Sequence, residues 1–155
     1  MLDAPADAWY LWIGLALASA AALAVVAGFP TAPPPDADVL ATAIDRVATS
    51  PYAGRGEHEV DADAIRLTPG TVALRRDGAT ATAALATSVT PAGSSRSLRA
   101  VLRGTPPSEL YGSRAAFDRA AAAARDREHA WHDPDDTLTA RKVTWGDVGV
   151  TLVGA

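Results

Sequence analysis

The chain has no cysteine, which removes disulfides, thiol nucleophiles and thiolate metal ligands together. Lysine is nearly missing: of 14 basic residues only Lys142 is lysine, and the others are arginine. Glutamate is scarce too, with Glu57, Glu59, Glu109 and Glu128 set against a large excess of aspartate. A net charge of −4 and a pI near 5.2 exclude the basic footprint that a nucleic acid demands. Lysine avoidance with surplus aspartate, on a background rich in alanine and threonine, points to a high-GC genome and a salt-adapted, halophilic archaeal source; codon bias alone, the competing reading, explains the alanine and arginine but less easily the aspartate.

Charge is also missing from one long stretch. Trp9 to Phe29 reads WYLWIGLALASAAALAVVAGF without a single charged residue of either sign. As a helix it would reach about 31 Å, enough for the hydrocarbon core of a bilayer. Trp9, Tyr10 and Trp12 cluster at one end and Phe29 closes the other, where amphipathic rings favour the interface. Pro30 stops the helix, and Pro33, Pro34 and Pro35 extend the chain beyond it. A cleaved signal peptide would need a positive n-region, whereas the first eight residues hold Asp3 and Asp7 and no basic residue, although Ala18 and Ala20, or Ala22 and Ala24, could satisfy a cleavage site. A buried core helix is the other alternative, and twenty-one uncharged residues in a row disfavour it. A prepilin leader would need a basic residue and a glycine before the cut, and there is neither. The expected organisation is therefore an N-terminal tail (1–8), a single transmembrane helix (9–29), a Pro-rich linker (30–36) and a domain (37–155).

Within the domain, Asp36 is placed to cap a helix from Ala37 to Thr49, with Val39, Leu40, Ala43, Ile44 and Val47 on one face. Glu59 to Leu67 reads as two short strands broken near Asp61–Asp63. Asp77-Gly78 sits between extended runs and is a hairpin turn, joining Thr71–Arg76 to a strand from Ala79 to about Val89. Leu98, Val101 and Leu102 recur at helical spacing before Gly104 and Pro106-Pro107. Ser113 caps a longer helix to about Trp131, with Phe117, Ala121, Ala124 and Trp131 on one side and Arg114 paired to Asp118 on another. Leu138–Trp145 and Val148–Val153 flank a turn at Gly146-Asp147. The order predicts an α+β domain with an antiparallel sheet and two or three helices.

Chemistry-bearing patterns are few. His129 and His132, three apart, would share a helical face and with Asp133 or Asp136 could ligate a divalent ion. The competing reading is a helix C-terminus, where histidines meet the last carbonyls, followed by an Asp-Pro-Asp-Asp turn. That second reading predicts no metal. No G-x-S-x-G surrounds Ser88, Ser94, Ser95, Ser97, Ser108 or Ser113, and Gly54-Arg55-Gly56 lacks the helix and lysine of a phosphate loop. No catalytic residue and no cofactor are assigned. Arg96, Arg99 and Arg103 form either a small anion-facing patch or a solvated helix face. Gly14, Ala18 and Ala22 place small residues every four positions along the apolar helix, a stripe that suits close helix association.

Four segments carry a wider resemblance: Asp7-x-Trp9-Tyr10-x-Trp12, Pro33–Pro35, Asp61-Ala62-Asp63-Ala64-Ile65-Arg66-Leu67, and Val101-Leu102-Arg103-Gly104-Thr105-Pro106-Pro107. On them the chain resembles an uncharacterised family of small single-pass membrane proteins from haloarchaea. The resemblance implies a non-enzymatic accessory or pseudopilin-like role beside type IV pilus-like secretion machinery. The partners it implies are the lipid bilayer and other membrane proteins, or further copies of the chain. A membrane-tethered sensor or ligand-binding domain is the alternative from a different class. Arg46, the first basic residue past the apolar stretch, lies at the margin of the zone that sets orientation. The pilin-like order then places the domain outside the cytoplasm.

Overall fold

The computed structural model describes residues 12–20 and 34–155. The chain divides into two units, Met1–Ala32 and Pro33–Ala155. In the first unit the described residues form one helix, α1, at 12–20, and every side chain in it is exposed. Among the described residues no helix is long and apolar enough to cross a membrane. Most of the stretch Trp9–Phe29 lies outside the described residues, including Trp9, Tyr10, Ala22 and Phe29.

The second unit is an α+β domain built on two sheets, where one antiparallel sheet was expected. β1 (Gly54–Glu59), β5 (Thr90–Pro91), β6 (Thr137–Trp145) and β7 (Val148–Gly154) make a mixed sheet in the order β1-β6-β7-β5, with β5 parallel to β7. β2 (Ala64–Leu67), β3 (Thr71–Arg76) and β4 (Ala79–Ala84) make an antiparallel one in the order β2-β3-β4. Helices α2 (Ala37–Thr49), α3 (Arg96–Arg103), α4 (Pro107–Leu110) and α5 (Arg114–Arg125) complete the domain.

Local chemistry sets most boundaries. Asp36 caps α2 by accepting from Val39 N at 3.2 Å, and Ser113 caps α5 by accepting from Ala116 N at 3.2 Å. Asp77 and Gly78 both take positive φ (49° and 78°), the pattern of a type I′ turn between β3 and β4. Gly146, at φ 67°, opens the two-residue turn between β6 and β7.

Other expectations need correction. The buried face of α2 is Ala37, Leu40, Ala41, Ile44 and Ala48, while Val39 is exposed. Alanines face the two sheets because their small side chains let the helix lie close to both. β1 starts at Gly54, ahead of the expected Glu59. Its Gly56 passes so near α2 that a Cβ there would meet Val47 Cγ2 at 2.8 Å. α5 ends at Arg125, well before Trp131, and Arg114 pairs with Asp147 of the β6–β7 turn at 2.8 Å instead of with Asp118.

β6 divides the interior. Leu138 and Ala140 join α2, Ile65, Leu67, Val72 and Leu74 in one core, which both sheets share. Val143 faces the other way and packs with Val150, Leu152, α3 and the Phe117–Ala121–Ala124 face of α5 in a second core. The next residues along the same strand reach the helix ends. Lys142 Nζ donates to the Ala48 carbonyl at 2.9 Å and to that of Ser50, closing α2. Arg141 Nη1 donates to the Val101 carbonyl in α3. Cations at helix C-termini complement the dipole.

Candidate functional site

The segment between α5 and β6 crosses the domain surface in extended form. His132 exchanges both backbone hydrogen bonds with Ile65 of β2 (3.1 and 2.9 Å), and Asp136 O accepts from Val60 N at 3.0 Å. Held at these points, the segment forms one wall of a cleft of about 860 Å³. The other walls are the turn around Gly93, the Arg99 and Arg103 side of α3, Arg55 and Glu57 of β1, and Ala155. Two patterns that sequence reading kept apart, the His129–Asp136 cluster and the α3 arginines, thus meet across one space. Arg96 of the same helix does not line it.

The histidines do not share a helical face, because α5 stops short of them. His129 Nε2 lies 3.3 Å from the Arg125 carbonyl oxygen at the end of α5. His132 is used by its backbone, and Asp133 and Asp136 are exposed. Among the described residues no three His, Asp or Glu side chains converge to hold a metal ion. Several other polar groups serve turns and caps. Asp61 pairs with Arg76, and Asp63 Oδ2 accepts from Asp77 N at 2.8 Å, tying the β3–β4 turn to the loop before β2. Asp45 accepts from Ala86 and Thr87 N, and Ser95 Oγ accepts from Leu98 N at the start of α3.

Sequence reading missed two features. Trp131 is not on a helix; its indole carries the guanidinium groups of Arg66 (4.9 Å) and Arg75 (4.4 Å), neighbours on one face of the three-stranded sheet. Trp131 lies more than fifty residues from either arginine, so no spacing rule could join it to them. Tyr111 packs at a tilt against Phe117 with centroids 5.4 Å apart, and Phe117 likewise against Trp145 at 6.4 Å. Burial pushes the Tyr111 hydroxyl above its ordinary pKa, an effect Ser97 and Ser95 beside it partly oppose. No hydrogen-bond partner reaches that hydroxyl within normal geometry.

Of the residues marked for the membrane, Trp12, Gly14 and Ala18 lie in α1 and are exposed. Together these observations define a small α+β domain with a polar, mixed-charge cleft, preceded by a unit whose described residues, 12–20, are helical. The chain belongs to a family of unknown function, DUF7283, whose model matches residues 3–143. No curated protein and no solved structure matches the chain.

Proposed function

We propose that this is a non-enzymatic, membrane-anchored accessory protein of a cell-surface or type IV pilus-like secretion apparatus, acting by protein–protein contact. The observation that carries the reading is the uncharged stretch Trp9–Phe29. Its described part is helical and leaves Trp12 (71%), Leu15 (60%) and Leu17 (67%) exposed, apolar surface that suits lipid better than water. The family match runs from residue 3 across this stretch into the domain, so the apolar segment belongs to the family's own pattern. A single-pass helix, then the amphipathic α2, then a β-rich head is the layout of a pilin-like subunit, which suits a domain outside the cytoplasm. The aspartate-rich, lysine-poor surface suits a salt-adapted archaeal host.

Carbonate extraction of cell membranes tests the anchor. The full-length chain should stay in the pellet, and release into the supernatant would sink the reading. Pull-down in gentle detergent tests the role. Recovery of an ATPase or a polytopic platform subunit supports it, and recovery of the chain alone counts against it.

The cleft favours one second reading, a membrane-tethered ligand-binding domain. Arg99, Arg103 and Arg55, the last paired with Glu57, line it together with Glu128, Asp133 and Asp135, a lining for a small ligand bearing both charges. A rise in melting temperature with such a ligand, abolished by Arg99→Ala together with Arg103→Ala, would favour it.

A further inference from the structure

The two sheets end in four strand edges, and three are closed or guarded. Val60 N bonds Asp136 O, which sets the phase of β1 so that Arg55, Glu57 and Glu59 direct their backbone groups outward, each beside its own charge. β5 has two residues, and its Pro91 has no N–H. β2 is four residues long and gives both outward backbone groups of Ile65 to His132. Charges, proline and short length are the usual devices that stop an edge from pairing.

β4 has none of them. It reads Ala79-Thr80-Ala81-Thr82-Ala83-Ala84, without charge or proline. Arg76 and Ala79 flank the two-residue turn, and Asp63 N bonds the Arg75 carbonyl at 2.8 Å, so Arg75 points to β2. It follows that Ala79, Ala81 and Ala83 bond to β3, while Thr80, Thr82 and Ala84 turn their N–H and C=O groups outward. All three are exposed, and none of these groups has a hydrogen-bond partner among the described residues.

We propose that β4 is a self-association edge, through which two copies of this chain pair antiparallel and join their three-stranded sheets into one of six. The register is self-complementary. With a two-fold axis at Thr82, that residue faces its own copy and Thr80 faces Ala84 in both directions. Every outward N–H then meets an outward carbonyl. The threonine side chains lie on one exposed face, where Thr–Thr contacts across strands are favourable, and no charge on β4 opposes its twin. A two-fold contact of this kind uses the same edge on both partners and closes on itself, giving a dimer. The pairing depends on β4 alone, so it stands or falls separately from the anchor, which carbonate extraction reports whether or not the edge pairs.

Because the native chain has no cysteine, single cysteines report the register directly in the full chain in detergent micelles. Thr82→Cys should oxidise to a disulfide-linked dimer, since directly opposed residues in a bonded pair sit about 5.5 Å apart at Cα. Thr80→Cys alone should not cross-link, whereas Thr80→Cys with Ala84→Cys should. Glu57→Cys, on the guarded edge of β1, should still pair through β4 but form no disulfide-linked dimer. Thr82→Pro removes an N–H that no intramolecular partner uses and should weaken dimerisation by at least about tenfold. Its melting temperature under monomeric conditions should stay close to wild type. A wild-type chain that sedimented as a monomer throughout the micromolar range would overturn the proposal. So would a dimer that Thr82→Pro left intact, or cross-linking by Glu57→Cys equal to that of Thr82→Cys.

Discussion

Lys142→Met isolates the work done by the only lysine in the chain. Its ammonium reaches the Ala48 carbonyl at 2.9 Å and the Ser50 carbonyl at the end of α2, where four carbonyls lack helical partners. Methionine keeps an unbranched apolar stem of similar length, so the aliphatic packing over α2 survives and the charge with its two bonds is lost. A hydrogen bond from a charged donor contributes roughly 1.5–3 kcal/mol, and a cation at a helix C-terminus roughly 0.3–1 kcal/mol. Lys142 is half-buried, so water can reach the abandoned carbonyls and recover part of this. The net expected loss is about 2 kcal/mol. For a domain of this size that lowers the melting temperature by roughly 6–10 °C. Thermal unfolding followed by far-UV circular dichroism reads the shift, and Lys142→Arg, which can still reach the same carbonyls, should lose less than about half as much. If Lys142→Met melts within a degree or two of wild type, the lysine is only a solvated charge and the account of how α2 is closed is wrong.

Tyr111→Phe should leave stability unchanged or raise it by up to about 1 kcal/mol, because the hydroxyl it removes is buried without a partner. A folded-state pKa raised above 10 by desolvation means that the Tyr111 contribution is intact below pH 10 and lost as pH climbs through the raised value. Denaturation series above pH 10 should therefore show a steeper decline for wild type than for Tyr111→Phe, and parallel curves would refute the burial argument. Trp131→Ala should cost about 1–2 kcal/mol through two cation–π contacts of roughly 0.5–1 kcal/mol each. Arg66→Ala in the Trp131→Ala background should then cost less than in wild type, and a double-mutant cycle with no coupling would refute the stack. Gly146→Ala should destabilise by about 1–2 kcal/mol in urea titration, because φ 67° is strained for alanine and the added Cβ would meet the Arg114 guanidinium.

What could be read from the sequence was set by neighbours in the chain. Asp77-Gly78, the caps at Asp36 and Ser113, and the ends of β6 and β7 all follow from local chemistry that tertiary contacts leave undisturbed. β1 could not be read. Gly54–Glu59 has no apolar alternation and becomes a strand because β6 offers an unpaired edge and Gly56 can slip past Val47. The periodicity that carried α5 on to Trp131 fails for a similar reason. Trp131 gains two arginines and His132 gains Ile65 by leaving the helix, and those partners lie more than fifty residues away. The cleft follows the same rule. Its histidines and its arginines were each visible, but only the crossing of the 128–136 segment over β2 brings them face to face.

That dependence on distant partners bears on how the domain unfolds. Two cores in one small domain could melt separately if different strands supported them, but here the same strand supports both. Leu138 and Ala140 of β6 belong to the α2 core and Val143 to the α3–α5 core. Lys142 and Arg141, adjacent on that strand, hold the C-terminal parts of α2 and α3 on opposite faces. Losing either core frees one face of β6 and removes the register that the other needs, because a strand cannot shift on one face alone. The two cores should therefore unfold in one transition, with far-UV ellipticity and tryptophan fluorescence coincident. Leu138→Ala and Val143→Ala, one in each core, should each move that whole transition to lower temperature, the former by an amount matching roughly 2–4 kcal/mol. Were Val143→Ala to split the melt into two resolved steps with the fluorescence change in only one, β6 would be a shared wall and not a coupling between the cores.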